Sequence, residues 1–237
     1  QTTEDDGLDY KPYPHMFVGV QGGAQTTFTN YDNLKLITPT ASVSFGAFFT
    51  PVVGARLHFN GWQNKGGFKD ATQDFKYDYK YATSDLDLML NLSTLFGKKN
   101  YYLLNVYLIG GIGLNYAWDN DGALALATGT PAVRGMEYAA NDKRWAFNAR
   151  VGLGLDIPVH KNVSVNLEAD LNHIIPGDNH KFVTDNLQFT GQVGVNFKFG
   201  YKKKAVEEEW VTRVDTIWYD DVAYTPRVED GTLTWNV

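Results

Sequence analysis

The chain contains no cysteine among its 237 residues. Disulfide bridges and lipid attachment through an N-terminal cysteine are therefore excluded. A small secreted domain would often be held together by disulfides. This chain must rely instead on the closure of its hydrogen-bond ladders and on side-chain packing.

Long apolar runs are also absent, since no stretch approaches the ~18 residues that a transmembrane helix needs. The longest candidate, Val106 to Leu114, is short and interrupted by glycines. A transmembrane helix is therefore excluded. A membrane protein that crosses the bilayer with β-strands is not excluded. Its lipid-facing residues alternate with lumenal ones, so its average hydropathy stays low.

The charge balance is acidic, with a formal net charge of −6. An acidic surface repels phosphate backbones and argues against a nucleic-acid partner. The first residue is Gln1 and no signal peptide is visible, so we expect a mature chain whose export signal has been removed.

What the chain does have is strict alternation of apolar and polar side chains in eight stretches of about ten residues. The clearest stretch runs from Leu187 to Phe199, with aliphatic and aromatic residues at every second position. A period of two is the signal of a β-strand. Strands of this length, when tilted, cross a bilayer.

The connections between these stretches alternate in length. Long polar connections are predicted over 27–39, 63–79, 119–143 and from Pro176 onward, and short ones at 50–52, 95–100 and 158–162. Alternating long and short connections are typical of membrane barrels. The sequence therefore predicts an all-β, eight-stranded, antiparallel up-and-down transmembrane β-barrel with short periplasmic turns and long extracellular loops.

Three regions follow from this reading. Residues 1–14 are polar, acidic and proline-bearing, and we expect a flexible periplasmic segment. Residues 15–200 form the barrel. Residues 201–237 begin with a lysine run, continue through an acidic stretch and end in strand-like sequence, and we expect a periplasmic tail or connector that continues beyond residue 237.

Charged side chains fall on the polar rows of the predicted strands. Eight strands enclose a lumen that their own side chains fill, and buried charges there must pair. Two interpretations remain open, a packed ion-pair plug and a narrow or gated polar path. The predicted lumenal charges are Arg56, Asp85, Asp87, Arg150, Asp156, Glu168, Asp170 and Lys198.

Aromatic residues gather near the ends of the strands on the side of the long loops. Amphipathic rings favour the depth of the membrane interface. The predicted aromatic girdle consists of Trp62, Tyr79, Tyr81, Tyr116, Trp118 and Trp145.

No motif predicts catalysis, a cofactor or a metal. The segment Asp119 to Gly122 resembles the opening of a calcium loop, but the residues that follow lack the required ligands. The five histidines are scattered over different strands and loops. Ser84 and His173, which could form a hydrolase pair, fall on strands that are not neighbours. We therefore predict a protein that is not an enzyme.

With its strand-turn-loop rhythm over residues 16 to 199, the chain resembles the N-terminal barrel of the OmpA family of Gram-negative outer-membrane proteins. The tail, from Asp215 to Val222 and on to Val237, looks like the connector that some members place before a peptidoglycan-binding domain. The resemblance implies an outer-membrane barrel that ties the membrane to the cell wall, with lipid, peptidoglycan and other envelope proteins as partners. The anchoring residues of that domain have no counterpart here.

Three alternatives remain at this stage. The chain could be an accessory subunit of a larger outer-membrane complex, a narrow porin, or a soluble eight-stranded lipid-binding barrel. The last would turn its apolar face inward, so the direction of the aliphatic rows discriminates it from the others.

Overall fold

The computed structural model describes residues 10–29, 31–69, 74–97, 103–121, 143–176, 187–203, 217–219, 222–224, 226–229 and 232–235. The chain divides into two units, residues 1–203 and residues 204–237. No helix within the described residues has the length and apolar character needed to span a membrane.

The first unit is built almost entirely of strands, together with a 3₁₀ turn at Asn33–Leu36 and a short helix α1 at Leu92–Phe96. The strands are β1 (Tyr10–Lys11), β2 (His15–Thr27), β3 (Thr38–Phe48), β4 (Val53–Lys69), β5 (Asp74–Asn91), β6 (Asn105–Trp118), β7 (Arg144–His160), β8 (Val163–Pro176), β9 (Leu187–Phe199) and β10 (Lys202–Lys203).

Strands β2 to β9 pair in chain order, all antiparallel, and β9 pairs back onto β2 to close a barrel. Following the paired residues once around from Phe17 leads back to β2 at Thr27. This stagger is the shear that tilts the strands and fixes the barrel's width. The predicted eight-stranded up-and-down barrel is confirmed.

The strands alternate between two environments, as their sequences predict. Along β5, every second side chain from Tyr81 to Asn91 is buried, while the leucines between them face outward. Leu88 is 52% exposed and Asp87 is 1% exposed. The barrel is therefore apolar outside and polar inside, which is the reverse of a soluble lipid-binding barrel and excludes that alternative.

One predicted loop is wrong. Residues 63–79 continue the β4–β5 ladder as far as Lys69 opposite Asp74, so only residues 70–73 connect the two strands. Alternating residues such as Tyr77 and Tyr79 keep the period of two through this polar sequence, and a paired ribbon satisfies the backbone groups that a loop would leave open.

The two ends of the barrel differ. We call the loop end the one with connections 28–37, 70–73, 119–143 and 177–186, and the turn end the one with connections 49–52, 92–104 and 161–162. The connection over 92–104 is longer than predicted because α1 occupies it, capped by the side chain of Asn91, which accepts a hydrogen bond from the Thr94 amide. The predicted contrast in length thus holds for most connections but not all.

The segment predicted to be flexible is partly attached to the barrel. Tyr10 and Lys11 pair with Lys203 and Lys202 in a short antiparallel ladder beyond the turn end. The ring of Tyr13 packs against that of Phe48, with centroids 5.9 Å apart. Residues 1–9 lie outside the described residues.

The second unit contains two hairpins. Strand β11 (Ile217–Tyr219) pairs with β12 (Val222–Tyr224), and β13 (Pro226–Glu229) pairs with β14 (Thr232–Trp235). The strand-like sequence at the end of the chain therefore forms strands where the structure describes it.

The exposed aliphatic rows give a depth-dependent prediction. Leu153→Arg, near the middle of β7, should lower the free energy of unfolding by about 2–4 kcal/mol, because an arginine at mid-bilayer loses its hydration. Val159→Arg lies in the exposed β-bulge next to the turn and should cost about 0–1 kcal/mol. Urea titrations of the two variants refolded into lipid vesicles measure the difference. Equal costs at both depths would contradict a lipid-facing row.

Candidate functional site

A central group of charged residues in the lumen comes from four strands that the barrel register brings to one level. Arg56 of β4 lies directly opposite Asp87 of β5, and Arg150 of β7 lies opposite Gly111 of β6. Residues paired in a ladder point to the same face. The closure of the barrel then brings Glu168 of β8 across the lumen toward them.

Arg56 links three strands through its guanidinium group. Its Nε donates to Asp87 Oδ2 at 2.7 Å, and its Nη1 donates to Glu168 Oε2 at 2.8 Å. A second bond from Nη2 to Glu168 Oε1 makes the contact with Glu168 bidentate. Planar pairing of this kind is the strongest form of ion pair that side chains make.

Arg150 extends the cluster toward β8 and back to β4. Its Nη2 donates to Glu168 Oε1 at 2.6 Å and lies 2.9 Å from Asp170 Oδ2. Its Nη1 lies 2.6 Å from His58 Nδ1. Because a guanidinium can only donate, His58 accepts at Nδ1 and carries its proton on Nε2.

Burial makes this cluster costly to disturb. Arg56, Asp87 and Arg150 have side chains that are at most 2% exposed. Buried charges are tolerated where they are paired and hydrogen-bonded, and removing one partner leaves the other uncompensated. The cluster thus cross-links β4, β5, β7 and β8 through the middle of the lumen.

Lys198 does not join this group, although it shares the polar row. It pairs with Asp156 toward the turn end, where Asp156 also accepts hydrogen bonds from Ser164 and Asn196. Two separate charge groups therefore occupy the lumen where the sequence predicted one network.

Glycines of β6 and β7 make room for the carboxylates. A Cβ on Gly111 would collide with Asp87 Oδ1, one on Gly113 with Asp85 Oδ1, and one on Gly152 with Asp170 Oδ1. Because these glycines have no side chain, β6 and β7 leave space in the lumen for the acidic side chains. Glycines at alternate positions of a strand are a visible sequence signal of such crowding.

Polar side chains fill the lumen between the charge cluster and the loop end. Ser42 Oγ lies 3.0 Å from Gln21 Oε1 and 3.1 Å from Gln192 Oε1, and its single proton is shared between these two acceptors. Asn148 Nδ2 donates to Asp85 Oδ1 at 2.7 Å and so ties this layer to the charges below it.

Aromatic rings fill the lumen at the turn end. Phe48 lies 5.0 Å from Tyr107 and 5.5 Å from His15 between ring centroids, and Phe17 packs on its other side. Between this layer and the charge cluster is a cavity of about 20 Å³, lined by Arg56, Tyr107, Asp156, Glu168 and Lys198 among others. A cavity of this size holds about one water molecule.

The predicted aromatic girdle is present in part. Tyr116 lies 4.6 Å from Trp145 and 5.6 Å from Trp118 between ring centroids, and Trp145 is 64% exposed on the outer face. Trp62 is likewise exposed. These four residues lie where an interfacial belt is expected.

Tyr81 and Tyr79 correct the girdle. Tyr81 is 3% exposed and lies in the lumen, where its single hydroxyl proton is shared between the side-chain oxygens of Gln25 and Asn60. Tyr79 occupies the same alternate row of β5 and accepts a 2.7 Å hydrogen bond from Asn64. Their position near a strand end suggested the interface, but the period of two assigns them to the inner row.

The candidate catalytic and metal-binding residues are not brought together. Ser84 lies on β5 and His173 on β8, which are not adjacent in the barrel. Asp119 forms an ion pair with Lys80 at 2.7 Å, and residues 122–142 lie outside the described residues. The described residues contain no group of three or more histidine and carboxylate side chains arranged to hold a metal.

Comparison with known proteins supports the fold alone. No family model matches the sequence, and no curated protein matches it. Neisserial surface protein A superposes with a TM-score of 0.51 at 13% identity, covering 78% of this chain and 97% of that one. The protein therefore has the fold of an eight-stranded outer-membrane β-barrel.

Two further solved structures are similar over comparable lengths. The N-terminal barrel domain of Pseudomonas aeruginosa OprF has a TM-score of 0.45 at 14% identity, covering 78% of this chain and 99% of that one. Ail, the attachment invasion locus protein of Yersinia pestis, has a TM-score of 0.46 at 14% identity with the same coverage.

The glycines of β6 give a prediction with a matched control. Gly111→Ala should destabilise the barrel by about 1–3 kcal/mol, because the added methyl group overpacks the seat of Asp87. Gly110→Ala is the control, since a Cβ there meets nothing within 4 Å. An alanine in place of a strand glycine should then be neutral or slightly stabilising. Urea titration compares the free energies of unfolding of the two variants. A Gly111→Ala variant as stable as the Gly110→Ala control would show that Asp87 does not need the space that Gly111 leaves.

The ion-pair cluster gives a second prediction. Arg56→Met should cost about 3–5 kcal/mol, because Asp87 and Glu168 lose a shared buried partner. Lys35→Met removes an exposed pair with Asp32 and should cost at most about 1 kcal/mol. The double variant Arg56→Met/Glu168→Gln should recover part of the loss. Thermal or urea unfolding in vesicles measures all three, and an unaffected Arg56→Met barrel would contradict the cross-linking role.

Proposed function

We propose that this protein is a non-enzymatic, structural barrel of the outer membrane of a Gram-negative bacterium that helps to link that membrane to the cell wall. The observation that carries the proposal is the closed barrel whose exterior is apolar and whose interior is a cross-linked set of buried ion pairs. Such a barrel is stable in lipid, and its interior is occupied by its own side chains.

The contents of the lumen support a passive pore less well than they support a structural role. Arg56, Arg150 and Glu168 bridge the lumen at one level, and the rings of Phe48 and Tyr107 fill it at another. The cavity between them has room for about one water molecule. This favours the ion-pair plug over the narrow or gated path.

The lengths of the connections and the strand count support a proposed orientation in the membrane. Short turns of outer-membrane barrels face the periplasm, and two of the three connections at the turn end are short, 49–52 and 161–162. An even number of strands returns β2 and β9 to that same end. We therefore place the turn end, β1 and the tail in the periplasm.

The tail supports the link to the cell wall. The two described hairpins of the second unit follow the barrel in the sequence, and the resemblance to the OmpA family supports a connector at this position. The hairpin β13–β14 pairs Val228 with Leu233 and Arg227 with Thr234. A two-stranded hairpin of this size needs a partner surface for stability.

That same requirement favours a second candidate function, an accessory barrel whose tail docks on another envelope protein. The two candidates differ in what the tail binds. Sedimentation with purified cell-wall sacculi supports the first candidate. Retention of the protein in a larger complex after the sacculi are digested supports the second.

The experiment that tests the proposed function is expression of the full chain in a Gram-negative host. The protein should fractionate with the outer membrane and migrate differently on a gel when unheated, as closed barrels do. Protease should spare the tail in intact cells and cut it once the outer membrane is permeabilised. Cleavage in intact cells would invert the orientation and remove the link to the wall, and a large steady conductance in planar bilayers would refute the plugged lumen.

A further inference from the structure

Within the described residues, the exposed charges at the turn end are all positive. The described segments at this end are 10–16, 48–54, 90–97, 103–107, 156–164 and 196–203, and their exposed charged side chains are Lys11, Lys161 and Lys202. The single carboxylate in these segments, Asp156, is 2% exposed and paired with Lys198. The loop end, by contrast, mixes acidic and basic residues such as Asp32 and Lys35.

Two of these lysines face each other. Lys11 and Lys202 are direct partners in the β1–β10 ladder. Like charges directly opposite each other on a ladder are destabilising, and no ion pair of either lysine is found among the described residues. A bound anion would therefore reduce the repulsion between these two opposed lysines.

The third lysine is held close to this ladder. Tyr201 donates its hydroxyl to the carbonyl oxygen of Lys161 at 2.9 Å. Asn162 Nδ2 donates to the carbonyl of Lys198 at 2.7 Å, and the Lys198 amide donates to the carbonyl of Asn162 at 2.7 Å. The turn that carries Lys161 is therefore fastened to the segment that leads into Lys202.

The depth of these lysines matches a phosphate layer. Met16 and Phe199 are paired at the turn end of the lipid-facing wall and are 53% and 44% exposed. The ladder begins only a few residues beyond them on both strands. Side chains at this distance past the apolar face of a membrane protein reach the headgroups.

We propose that Lys11, Lys161 and Lys202, which we call the lysine collar, bind the phosphate groups of anionic phospholipids in the leaflet at the turn end. The inference rests on the proposed membrane location and goes beyond it, because it assigns a lipid class to one end of the barrel. Lysine ammonium groups bind phosphate as point charges, and basic clusters beside a membrane attract anionic lipids.

Acidic runs next to the collar in the sequence are the competing anions. Glu4 to Asp6 precede it and Glu207 to Glu209 follow it. The phosphate layer is favoured because the collar lies at its depth and continues the lipid-facing wall. Neutralisation by these runs becomes an outcome of the test.

The test uses the full chain reconstituted in vesicles of phosphatidylcholine mixed with phosphatidylglycerol, followed by native mass spectrometry of the lipids that remain bound after detergent extraction. The collar variant is Lys11→Gln/Lys161→Gln/Lys202→Gln. The matched control, Lys35→Gln/Lys76→Gln/Lys143→Gln, makes the same change in net charge at exposed loop-end lysines.

The wild type and the control should retain phosphatidylglycerol in preference to phosphatidylcholine, and the collar variant should lose this preference by roughly fivefold for each lysine removed. The corresponding triple Lys→Arg variant should keep it. Equal preference in the collar variant and the control would overturn the proposal and leave the acidic runs as the counter-charge. The gel shift of the unheated protein separates this result from failure of the proposed function, because only the latter predicts that the wild type does not fold in either lipid.

Discussion

The closed hydrogen-bond ladder is the constraint on which the rest of the structure depends. Lipid offers no partner to a backbone amide or carbonyl, so a sheet in a membrane must have no edge. Pairing of β9 with β2 removes the edge, and the stagger of that closure fixes which side chains meet in the lumen. Arg56 meets Glu168 because the ladder carries β4 and β8 to opposite walls at one level.

The outer and inner faces of this barrel are stabilised by opposite chemistry. Outside, Leu88 and Leu153 need only be apolar, because lipid is an unselective solvent. Inside, Arg56 and Arg150 require particular partners at particular distances, and the glycines of β6 and β7 are needed to fit them. The same interior that stabilises the barrel also fills it, which is why a structural role agrees better with this lumen than a transport role does.

The faces of the strands could be predicted from the sequence because a period of two needs no knowledge of the partner strand. Arg56, Asp85, Asp87, Arg150, Glu168 and Asp170 were assigned to the interior in this way. Their pairing could not be predicted, since it depends on the stagger between β4 and β8. The girdle prediction is wrong for Tyr81 because its place in the alternating row of β5, and not its nearness to the strand end, decides the face it lies on. The β-ladder over residues 63–79 could not be predicted, because the polar composition of this segment is that of a loop.

The most direct test of the central claim uses the absence of cysteine from the chain. Single cysteines placed in turn at positions 148 to 155 of β7, each carrying a spin label in lipid vesicles, report contact with oxygen dissolved in the bilayer. The account predicts high contact at Ala149, Val151, Leu153 and Leu155 and low contact at the positions between them. A profile with the opposite phase, or with no period of two, would contradict a barrel that is apolar outside and ion-paired inside.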